Sequence, residues 1–551
     1  MGNIVDIAER VLLGKTIPLD SQPTHESTFQ REYCIEKDVR LMSSKLWELQ
    51  QSYYTSASIR EWAFRNLPLS FFSSSYLAKS YSNVILSYIR DMWTPSLGEK
   101  VIIVDVGAGH GRLGFYIVKY LLSMRHLWPD PYQCPFLYVM TDCSPHILSW
   151  WKTNELLKEF IDRGYLDIAL FDVYNPSDLL CVYSGQTLSA NTLHIPPFLI
   201  LNSVLSCLKQ DVLAVRPTGF APAVISLLST QYEYFPSDPL ILRNLQFFPD
   251  SPFTSRLKWS FPREFDSAWD LGYDRIPAKL LSDHFADYIG TTIVVPITAV
   301  SLLSRVLCWS AGKALILAGD RGVIHRDEVL AAKEPFVSFG ADVRIPVNFD
   351  LLSLLARDGG GFVAHSQYRG DFVIALLSFG QGVSSLRRTR WAFRQWSDCG
   401  SPEAISLLES SLCSEAMLSL RLLLLLLRLA QSDSDSLWQF RSFLVKSEGV
   451  LANQSVDLRD LKLQLEQLAA FVYPFQAYHD VLFDIARFFL ALREYEKAAE
   501  LFLQSIRMCG EHHASWFNRG VCLFELRQLA KARFCFFRVG KRGNLRGRRW
   551  N

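Results

Sequence analysis

A glycine-rich turn that joins an apolar segment to an amphipathic one is the part of this sequence best suited to bind a ligand. Residues Val101–Gly114 read VIIVDVGAGHGRLG, with glycine at positions 107, 109, 111 and 114 and an acid at Asp105. The apolar run predicts a buried strand, and the spacing of apolar residues in Leu113–Leu122 predicts a helix directly after the turn. The unpaired N–H groups and partial positive charge of the first helical turn suit an anionic ligand group.

Three interpretations of this turn are open on the residues alone. A dinucleotide requires the motif G-x-G-x-x-G, starting at the end of the strand. When the motif starts at Gly107, Arg112 occupies the position of its third glycine. When it starts at Gly109, all three glycines are present, but the motif begins two residues too late. The pattern D-x-G-x-G-x-G, with Asp105 followed by glycine at 107, 109 and 111, instead resembles motif I of class I S-adenosylmethionine (SAM) methyltransferases. In that family the acid helps to hold the methionine end of the ligand. The third interpretation is a loop that only turns the chain.

Polar side chains follow three more predicted strands. The strands and the residues that follow them are Pro135–Thr141 with Asp142, Leu166–Phe171 with Asp172, and Pro197–Leu201 with Asn202. The carboxyl ends of parallel strands meet at one edge of a sheet, so we expect these side chains to lie around the glycine turn. Their order along the chain is the order that a SAM site needs.

Each polar residue has an expected role and a simpler alternative. Asp142 is placed to accept hydrogen bonds from both ribose hydroxyls, although it could equally cap the helix predicted after Ser144. In the class I plan Asp172 accepts from the adenine amino group, with Phe171 or Val173 against the ring, but it could be a solvated loop acid. Asn202 faces the reacting centre in that plan, where methyl transfer needs mainly positioning and deprotonation of the acceptor, and a turn-forming asparagine is the alternative.

These expectations define a predicted site that contains no metal. Its predicted cofactor-binding residues are Asp105, Gly107, Ala108, Gly109, Gly111, Arg112, Asp142, Phe171, Asp172 and Asn202, with Asn202 also the predicted catalytic residue.

Composition indicates a protein of the reducing cytoplasm. The net charge of +2 gives no argument for binding nucleic acid or an anionic membrane, and the 11 cysteines include no C-x-x-C pair or metal-finger spacing. The first residues lack a signal-peptide core. The longest apolar run, Leu420–Leu427, is too short to span a bilayer and predicts a buried helix. We therefore expect no membrane partner and no nucleic-acid partner.

The 551 residues are long enough for several domains. We predict an N-terminal helical region at 1–95, an α/β domain with a mostly parallel sheet at 96–390, and an all-α domain at 401–540. An insertion rich in aromatic residues and proline interrupts the α/β domain at about 220–290, and it contains Trp259, Phe261 and Trp269. Residues 541–551 form a basic tail, which we expect to be solvated.

A period of 34 residues appears near the end of the chain. Apolar and small residues at 482, 485, 486, 489, 495, 498 and 502 recur at 516, 519, 520, 523, 529, 532 and 536, except that Arg519 breaks an apolar position. This is the spacing of tetratricopeptide (TPR) repeats, which we predict at 479–512 and 513–546. Two repeats cannot bury their apolar faces alone, so they must stack on the helices before them.

The first two-thirds of the chain resembles the MidA-like type of class I methyltransferases, and it is more similar still to bacterial proteins that join such a domain to TPR repeats. The segments that carry the resemblance are WELQQSYY at Trp47–Tyr54, VDVGAGHGRLG at Val104–Gly114, LNSVLSCLKQD at Leu201–Asp211, ALILAGDRG at Ala314–Gly322 and FGADVRIPVNFD at Phe339–Asp350. The resemblance implies a Rossmann-like class I methyltransferase domain with N-terminal helices and a TPR-like all-α domain. In one departure, Ser206 and Lys209 stand where the family usually has an acid and a proline or similar turn residue.

The resemblance implies an enzyme that transfers a methyl group from SAM to a protein substrate recruited by the repeats, with arginine as the acceptor in the family. The alternative is a catalytically degenerate scaffold whose repeats bind a protein partner, which the changes at Ser206 and Lys209 favour. A dinucleotide oxidoreductase is the third hypothesis.

Overall fold

A computed structural model describes the following residues: 33–60, 71–94, 98–229, 256–261, 273, 276, 278–285, 288–324, 327–328, 338–339, 343–366, 372–380, 386–397, 405, 408–409, 411–412, 420–438, 440, 455–473 and 480–542. The strands in these ranges are β1 (Tyr33–Arg40), β2 (Val101–Asp105), β3 (Phe136–Asp142), β4 (Leu166–Leu170), β5 (Leu179–Leu180), β6 (Thr187–Leu188), β7 (Phe198–Asn202), β8 (Asp211–Arg216), β9 (Gly219–Pro222), β10 (Val224–Ser229), β11 (Arg256–Ser260), β12 (Thr292–Val295), β13 (Ala314–Val323), β14 (Ser338–Phe339), β15 (Val343–Arg344), β16 (Val347–Asn348), β17 (Val363–His365) and β18 (Phe372–Phe379).

The helices are α1 (Lys45–Ser56), α2 (Ser75–Met92), α3 (Arg112–Ser123), α4 (Pro145–Thr153), α5 (Glu155–Asp162), α6 (Ala278–Phe285), α7 (Ile297–Cys308), α8 (Phe349–Asp358), α9 (Arg387–Ser397), α10 (Leu420–Leu429), α11 (Ser455–Phe471), α12 (Val481–Ala491), α13 (Tyr495–Cys509), α14 (His513–Glu525) and α15 (Leu529–Arg542). Short 3-10 turns lie at Phe71–Ser73 and Leu205–Cys207, among others.

A mixed, mostly parallel sheet organises the first part of the chain, as predicted. Its strands lie side by side in the order β17-β18-β13-β7-β2-β3-β4, and β16 pairs with the far end of β13. The pairs from β13 to β4 are parallel, whereas β18 runs antiparallel to both of its neighbours. Going outward from β2, chain order runs through β3 and β4 on one side and through β7 and β13 on the other. The sheet therefore has a topological switch point between β2 and β7, and ligands bind at such a point beyond the carboxyl ends of the strands.

Burial on both faces explains why β2 is apolar at every position before Asp105, its last residue. Ile102 and Val104 contact the hydrophobic cluster on one face of the sheet, whereas Val101 and Ile103 contact the cluster on the other face. Side chains alternate between the faces of a strand, so a strand covered on both sides must be apolar at every position. This burial holds the end of β2, and with it Asp105, in a fixed position at the edge of the sheet.

The prediction of a helical N-terminal region is wrong at Tyr33–Arg40, which is strand β1. This strand pairs antiparallel with β10, and β10 pairs with β11, so the insertion and the N-terminal segment form one three-stranded sheet. The sequence YCIEKDVR lacks strand alternation, and the pairing with β10 contains two register shifts. Its strand conformation therefore depends on hydrogen bonds to residues almost 200 positions away. Helices α1 and α2 do occur where helices were predicted.

Two described aromatic residues of the insertion pack near Leu41 and Trp47 of the N-terminal region. Trp259 and Phe261 pack against the small cluster that contains those two residues. The third aromatic residue singled out in the sequence, Trp269, lies outside the described residues, as does the basic tail beyond residue 542.

The C-terminal part of the chain is helical, and its last four helices form two consecutive antiparallel hairpins. Helices α12 and α13 pack together, as do α14 and α15, and α13 packs on α14. Residues Ala486, Ala498 and Ala532 are buried at these contacts, and a side chain at Gly520 would collide with the Phe536 ring. The guanidinium of Arg519, the residue that departs from the 34-residue pattern, lies over the Trp516 ring and donates to Cys535 Sγ. That these hairpins are TPR repeats stays a prediction.

Candidate active site

A cleft opens at the switch point between β2 and β7 and encloses about 1090 Å³, including its open mouth. The residues that line it come from the ends of β2, β3, β4 and β7, the helices near the N-terminus and the segment around β15. They are Gln51, Tyr54, Phe72, Ser73, Asp105, Gly107, Ala108, Gly109, His110, Leu113, Asp142, Cys143, Phe171, Asp172, Val173, Tyr174, Asn202, Ser203, Val204, Cys207, Leu208 and Arg344. Side chains from distant parts of the chain therefore face one concave space, which is the usual form of a small-molecule site.

The glycine turn forms one wall of this cleft. The N–H of Ala108 donates to Thr141 O at 2.8 Å, and the N–H of Gly109 donates to Asp142 Oδ2 at 3.0 Å. Gly109 and Gly111 have positive φ angles of 57° and 78°, and glycine adopts this region without the steric cost that other residues incur there. The turn is thus tied to the end of β3 before it enters helix α3.

Asp105 lies at the floor of the cleft and is only 2% exposed. Tyr138 Oη donates to its Oδ2 at 2.8 Å. Burial raises the pKa of this carboxyl to about 7, the Tyr138 hydroxyl opposes that rise, and the nearby Asp142 adds to it. No ion pair to Asp105 occurs within the described residues, so the ionised form of this buried carboxyl has no counter-charge there. A cationic group of a ligand would supply the missing compensation.

Asp142 stands at the end of β3 and contacts the glycine turn directly. Besides the bond from Gly109, its Oδ1 accepts from the Ser144 N–H at 2.9 Å, while Ser144 itself caps helix α4 by accepting from Ile147. Burial raises the pKa of Asp142 to about 6, and these backbone donors oppose the rise. A carboxylate has about four acceptor positions, so Asp142 can accept from ligand hydroxyls while it holds the turn. The alternative role for Asp142, the cap of the following helix, falls to Ser144 instead, and Asp142 binds the turn.

Asp172 follows β4 and joins the cleft to the N-terminal helices. Its Oδ1 accepts from the Tyr174 N–H at 2.9 Å, and its Oδ2 accepts from Gln51 Nε2 at 3.3 Å. Phe171 is 3% exposed, and its ring meets the Trp309 ring edge-on with centroids 6.1 Å apart. Asp172 is therefore a cleft acid held by a turn, beside a fixed aromatic ring.

Asn202 lies at the end of β7, with both polar groups of its side chain in use. Its Oδ1 accepts from Tyr81 Oη at 3.2 Å, and its Nδ2 donates to Phe72 O at 2.8 Å. These bonds fasten helix α2 and the turn before it over the carboxyl end of the sheet. Asn202 thus orients the wall near the predicted reacting centre.

A cationic side chain contacts Ser206, one of the two positions at which the sequence departs from the pattern of the family it resembles. Arg344 donates to Ser203 Oγ at 2.8 Å and to Ser206 Oγ at 3.4 Å. The buried Asp320 accepts from the Ser206 N–H at 2.9 Å, and burial raises the pKa of Asp320 against the attraction of Arg344. The N–H of Lys209, in turn, donates to Tyr174 Oη at 3.2 Å.

Two predicted site residues do not line the cleft. Gly111 is the N-cap of helix α3 and packs toward Met140 and Trp151. The prediction for Arg112 is wrong, because its side chain turns away from the cleft and donates to Asp435 Oδ2 at 2.9 Å and to Asp433 Oδ2 at 3.4 Å. Both acids lie in the C-terminal helical part, more than 300 residues along the chain. The other eight predicted residues line the cleft.

Several residues of the site were missed from the sequence. Gln51 and Tyr54 lie in the WELQQSYY segment and Arg344 lies in FGADVRIPVNFD, two segments that carry the family resemblance but predict no site residue by themselves. Tyr138, the donor to Asp105, lies within the apolar run that predicts β3. Its hydroxyl on an otherwise apolar strand was the signal available, since a buried tyrosine hydroxyl usually finds a polar partner.

The described ranges contain no group of three or more His, Cys, Asp or Glu that could hold a metal ion. Within the same ranges, every helix is too short or too polar to cross a bilayer.

Comparison with known proteins finds distant structural similarity to several solved structures. No family model and no curated protein matches the chain. A protein from Burkholderia thailandensis bound to S-adenosyl-homocysteine is 15% identical, with a TM-score of 0.36 over 60% of this chain and 74% of that one. A second Burkholderia thailandensis protein, described as an uncharacterized protein of the COG1565 superfamily, is 10% identical, with a TM-score of 0.39 over 64% of this chain and 90% of that one. The plantazolicin methyltransferase BpumL in complex with S-adenosyl-homocysteine is 10% identical, with a TM-score of 0.25 over 62% of this chain and 99% of that one. Similarity at this level carries no argument about activity.

Proposed function

We propose that the protein is a SAM-dependent methyltransferase. The observation that carries the proposal is the placement of three acids around one glycine turn in a single cleft. Asp105, Asp142 and Asp172 end or follow three neighbouring parallel strands, and Asp142 binds the turn itself. This is the arrangement that the resemblance in motif I implies, and it is supported by the position of the cleft at the switch point of the sheet.

The cleft residues fit the parts of SAM. Asp105 is a buried carboxylate without a described ion pair, and the ammonium of a methionine group would neutralise it. The remaining acceptor positions of Asp142 suit ribose hydroxyls, and Asp172 suits the adenine amino group beside Phe171 and Val173. A dinucleotide would bring a pyrophosphate to the turn, close to both Asp105 and Asp142, where like charges repel. This repulsion favours SAM over a dinucleotide.

When bound, SAM supplies a methyl group on a positively charged sulfur. The protein then has to orient an acceptor in line and exclude competing water, which requires positioning more than a protein nucleophile. Asn202 holds the turn at Phe72 and helix α2 over the carboxyl end of β7, so it shapes the space an acceptor enters.

We further propose that the acceptor belongs to a protein and that the C-terminal hairpins recruit it, with arginine the acceptor that the family resemblance implies. The paired helices α12–α15 are the support for a binding role, because stacked helical hairpins present extended surfaces to partners. The cysteines that the structure describes are free thiols, in keeping with the cytoplasmic location we propose.

A second candidate is a methyltransferase-like scaffold that binds a partner without turnover. The observation that favours it is the wall after β7, where Ser203 and Ser206 accept from Arg344 and provide no carboxylate to deprotonate an acceptor. Transfer of a labelled methyl group from SAM to a captured partner would rule out this candidate.

The proposed function is tested by calorimetric titration with S-adenosyl-homocysteine. We expect micromolar binding to the wild-type protein and at least about tenfold weaker binding to Asp142→Ala, because charge-assisted bonds to the ribose would be lost. Asp162→Ala removes an exposed acid at the end of α5 and serves as the control, with unchanged affinity expected. Absence of binding to folded wild-type protein would reject the proposal, and binding of NADH instead would favour the oxidoreductase.

The pH dependence of this affinity gives an independent test. The pKa of Asp105 is about 7 in the free protein, and an ammonium on the ligand requires the ionised form. Between pH 7.5 and pH 6 the ionised fraction of a group with that pKa falls roughly eightfold, and that of Asp142, with a pKa of about 6, falls roughly twofold. We therefore expect binding to weaken by about fifteenfold. Titrations at several pH values, with circular dichroism to verify the fold, measure this. Affinity that is constant or stronger at pH 6 would contradict the role given to Asp105.

A further inference from the structure

Residues of the C-terminal helical part contact the glycine turn from outside the cleft. Tyr473 Oη donates to His110 O at 2.8 Å, and it accepts from Asn154 Nδ2 at 3.2 Å. The Tyr473 ring packs on the Phe115 ring of helix α3, with centroids 5.0 Å apart, and lies edge-on to Trp150 at 6.0 Å. Tyr473 is 4% exposed, so its hydroxyl is fixed between the turn and the end of helix α4.

A second contact from the same part of the chain fixes the residue after the turn. The buried carboxylate of Asp433 accepts from Arg112, the first residue of α3, and also from the Ser75 N–H, the first residue of α2, at 2.7 Å. Asp433 therefore holds together the N-termini of the two helices whose preceding turns line the cleft. Phe72 and Ser73 lie just before α2, and the glycine turn lies just before α3.

We propose that the C-terminal helical part is a component of the ligand site and that Tyr473 is a positioning residue, which holds the turn at residues 107–111 in its binding conformation through the His110 carbonyl. The turn carries the groups that face the ligand, whereas Tyr473 does not reach the cleft. The turn is tied to β3 through Ala108 and Gly109. From the other side, Trp151 Nε1 donates to Gly109 O at 3.1 Å and Tyr473 donates to His110 O, so Tyr473 adds a second outer support at the next residue of the turn.

The test compares two tyrosine-to-phenylalanine variants of the full-length chain. Tyr473→Phe removes the hydrogen bond to His110. The matched control is Tyr88→Phe, because Tyr88 is equally buried and its Oη donates at 2.6 Å to the carbonyl of Pro196, before the amino end of β7 and away from the cleft. Both variants leave one buried carbonyl without its tyrosine donor, so a general loss of stability should be similar in the two.

Two quantities are measured at a temperature where both variants are folded. The first is hydrogen–deuterium exchange of the amides at 109–112, which we expect to be at least about fivefold faster in Tyr473→Phe than in Tyr88→Phe. The second is affinity for S-adenosyl-homocysteine, which we expect to fall about fivefold in Tyr473→Phe alone. The affinity measurement rests on the proposed function, whereas the exchange measurement needs no ligand.

The outcomes separate the two proposals. Failure of the wild type to bind S-adenosyl-homocysteine would reject the proposed function, and exchange alone would then decide the role of Tyr473. Equal exchange at 109–112 in Tyr473→Phe and Tyr88→Phe would overturn the positioning role, as would equal affinity for a ligand that the wild type binds. Should Tyr473→Phe fail to fold, Asp433→Asn replaces it. Exchange at 109–112 that is faster than in the wild type would support the proposal that the C-terminal helical part belongs to the site. An exchange rate equal to that of the wild type would overturn it.

Discussion

Replacement of Arg112 by alanine is expected to lower the free energy of unfolding by about 3–5 kcal/mol, because it leaves a buried carboxylate without its counter-charge. The side chains of Arg112 and Asp433 are 4% and 5% exposed, so solvent cannot compensate either charge once the partner is removed. Asp435, the second partner, is 45% exposed and can be solvated. The measurement is urea-induced unfolding followed by fluorescence and circular dichroism.

The control for Arg112→Ala is Arg163→Ala, which breaks the exposed pair between Arg163 and Glu159 on helix α5. Those side chains are 62% and 61% exposed, and such a pair contributes little, so a change within about 0.5 kcal/mol is expected. Similar losses in the two variants would show that the link between α3 and Asp433 does not stabilise the protein.

Asp105→Asn is expected to change ligand binding and stability in opposite directions. Loss of the carboxylate that would pair with the ligand ammonium should weaken S-adenosyl-homocysteine binding by about 30-fold or more, since truncating one partner of a buried charge pair costs about 2–5 kcal/mol. Without ligand the variant should be more stable than the wild type at pH 8, by about 1–3 kcal/mol, because burial of an ionised carboxylate is unfavourable.

The pH dependence of this gain follows from the sign of the pKa shift. The folded-state pKa of Asp105 is raised from 3.8 to about 7, so the folded protein prefers the protonated form. That preference contributes stability at low pH and is lost as the pH rises through 7. The advantage of Asp105→Asn over wild type should therefore be clearly larger at pH 8 than at pH 5.5, where only about half of this stability has been lost. Thermal unfolding at both pH values measures it, and a variant less stable than wild type at pH 8 would contradict this account of Asp105.

Local patterns predicted the sheet and the residues around the cleft well, because the signals are local. The strands β2, β3, β4 and β7 are short apolar runs, and the polar residue at or just after the end of each one must lie at the carboxyl edge of the sheet. Tyr33–Arg40 and Arg112 were mispredicted for one shared reason. The strand β1 exists through its pairing with β10, and Arg112 turns outward because Asp433 and Asp435 neutralise it there. Contacts between residues so far apart in the sequence cannot be predicted from a stretch of ten or twenty residues.

The bond from Tyr473 to His110 joins residues 363 positions apart, which has a consequence for synthesis of the chain. A ribosome adds about 5–20 residues per second, so the turn at 107–111 leaves the exit tunnel roughly 20–70 s before Tyr473 does. During that interval the nascent sheet can form while the outer side of the turn lacks its tyrosine. A stalled or truncated chain that ends before residue 473 would thus carry every acid of the cleft and still have an incompletely supported turn.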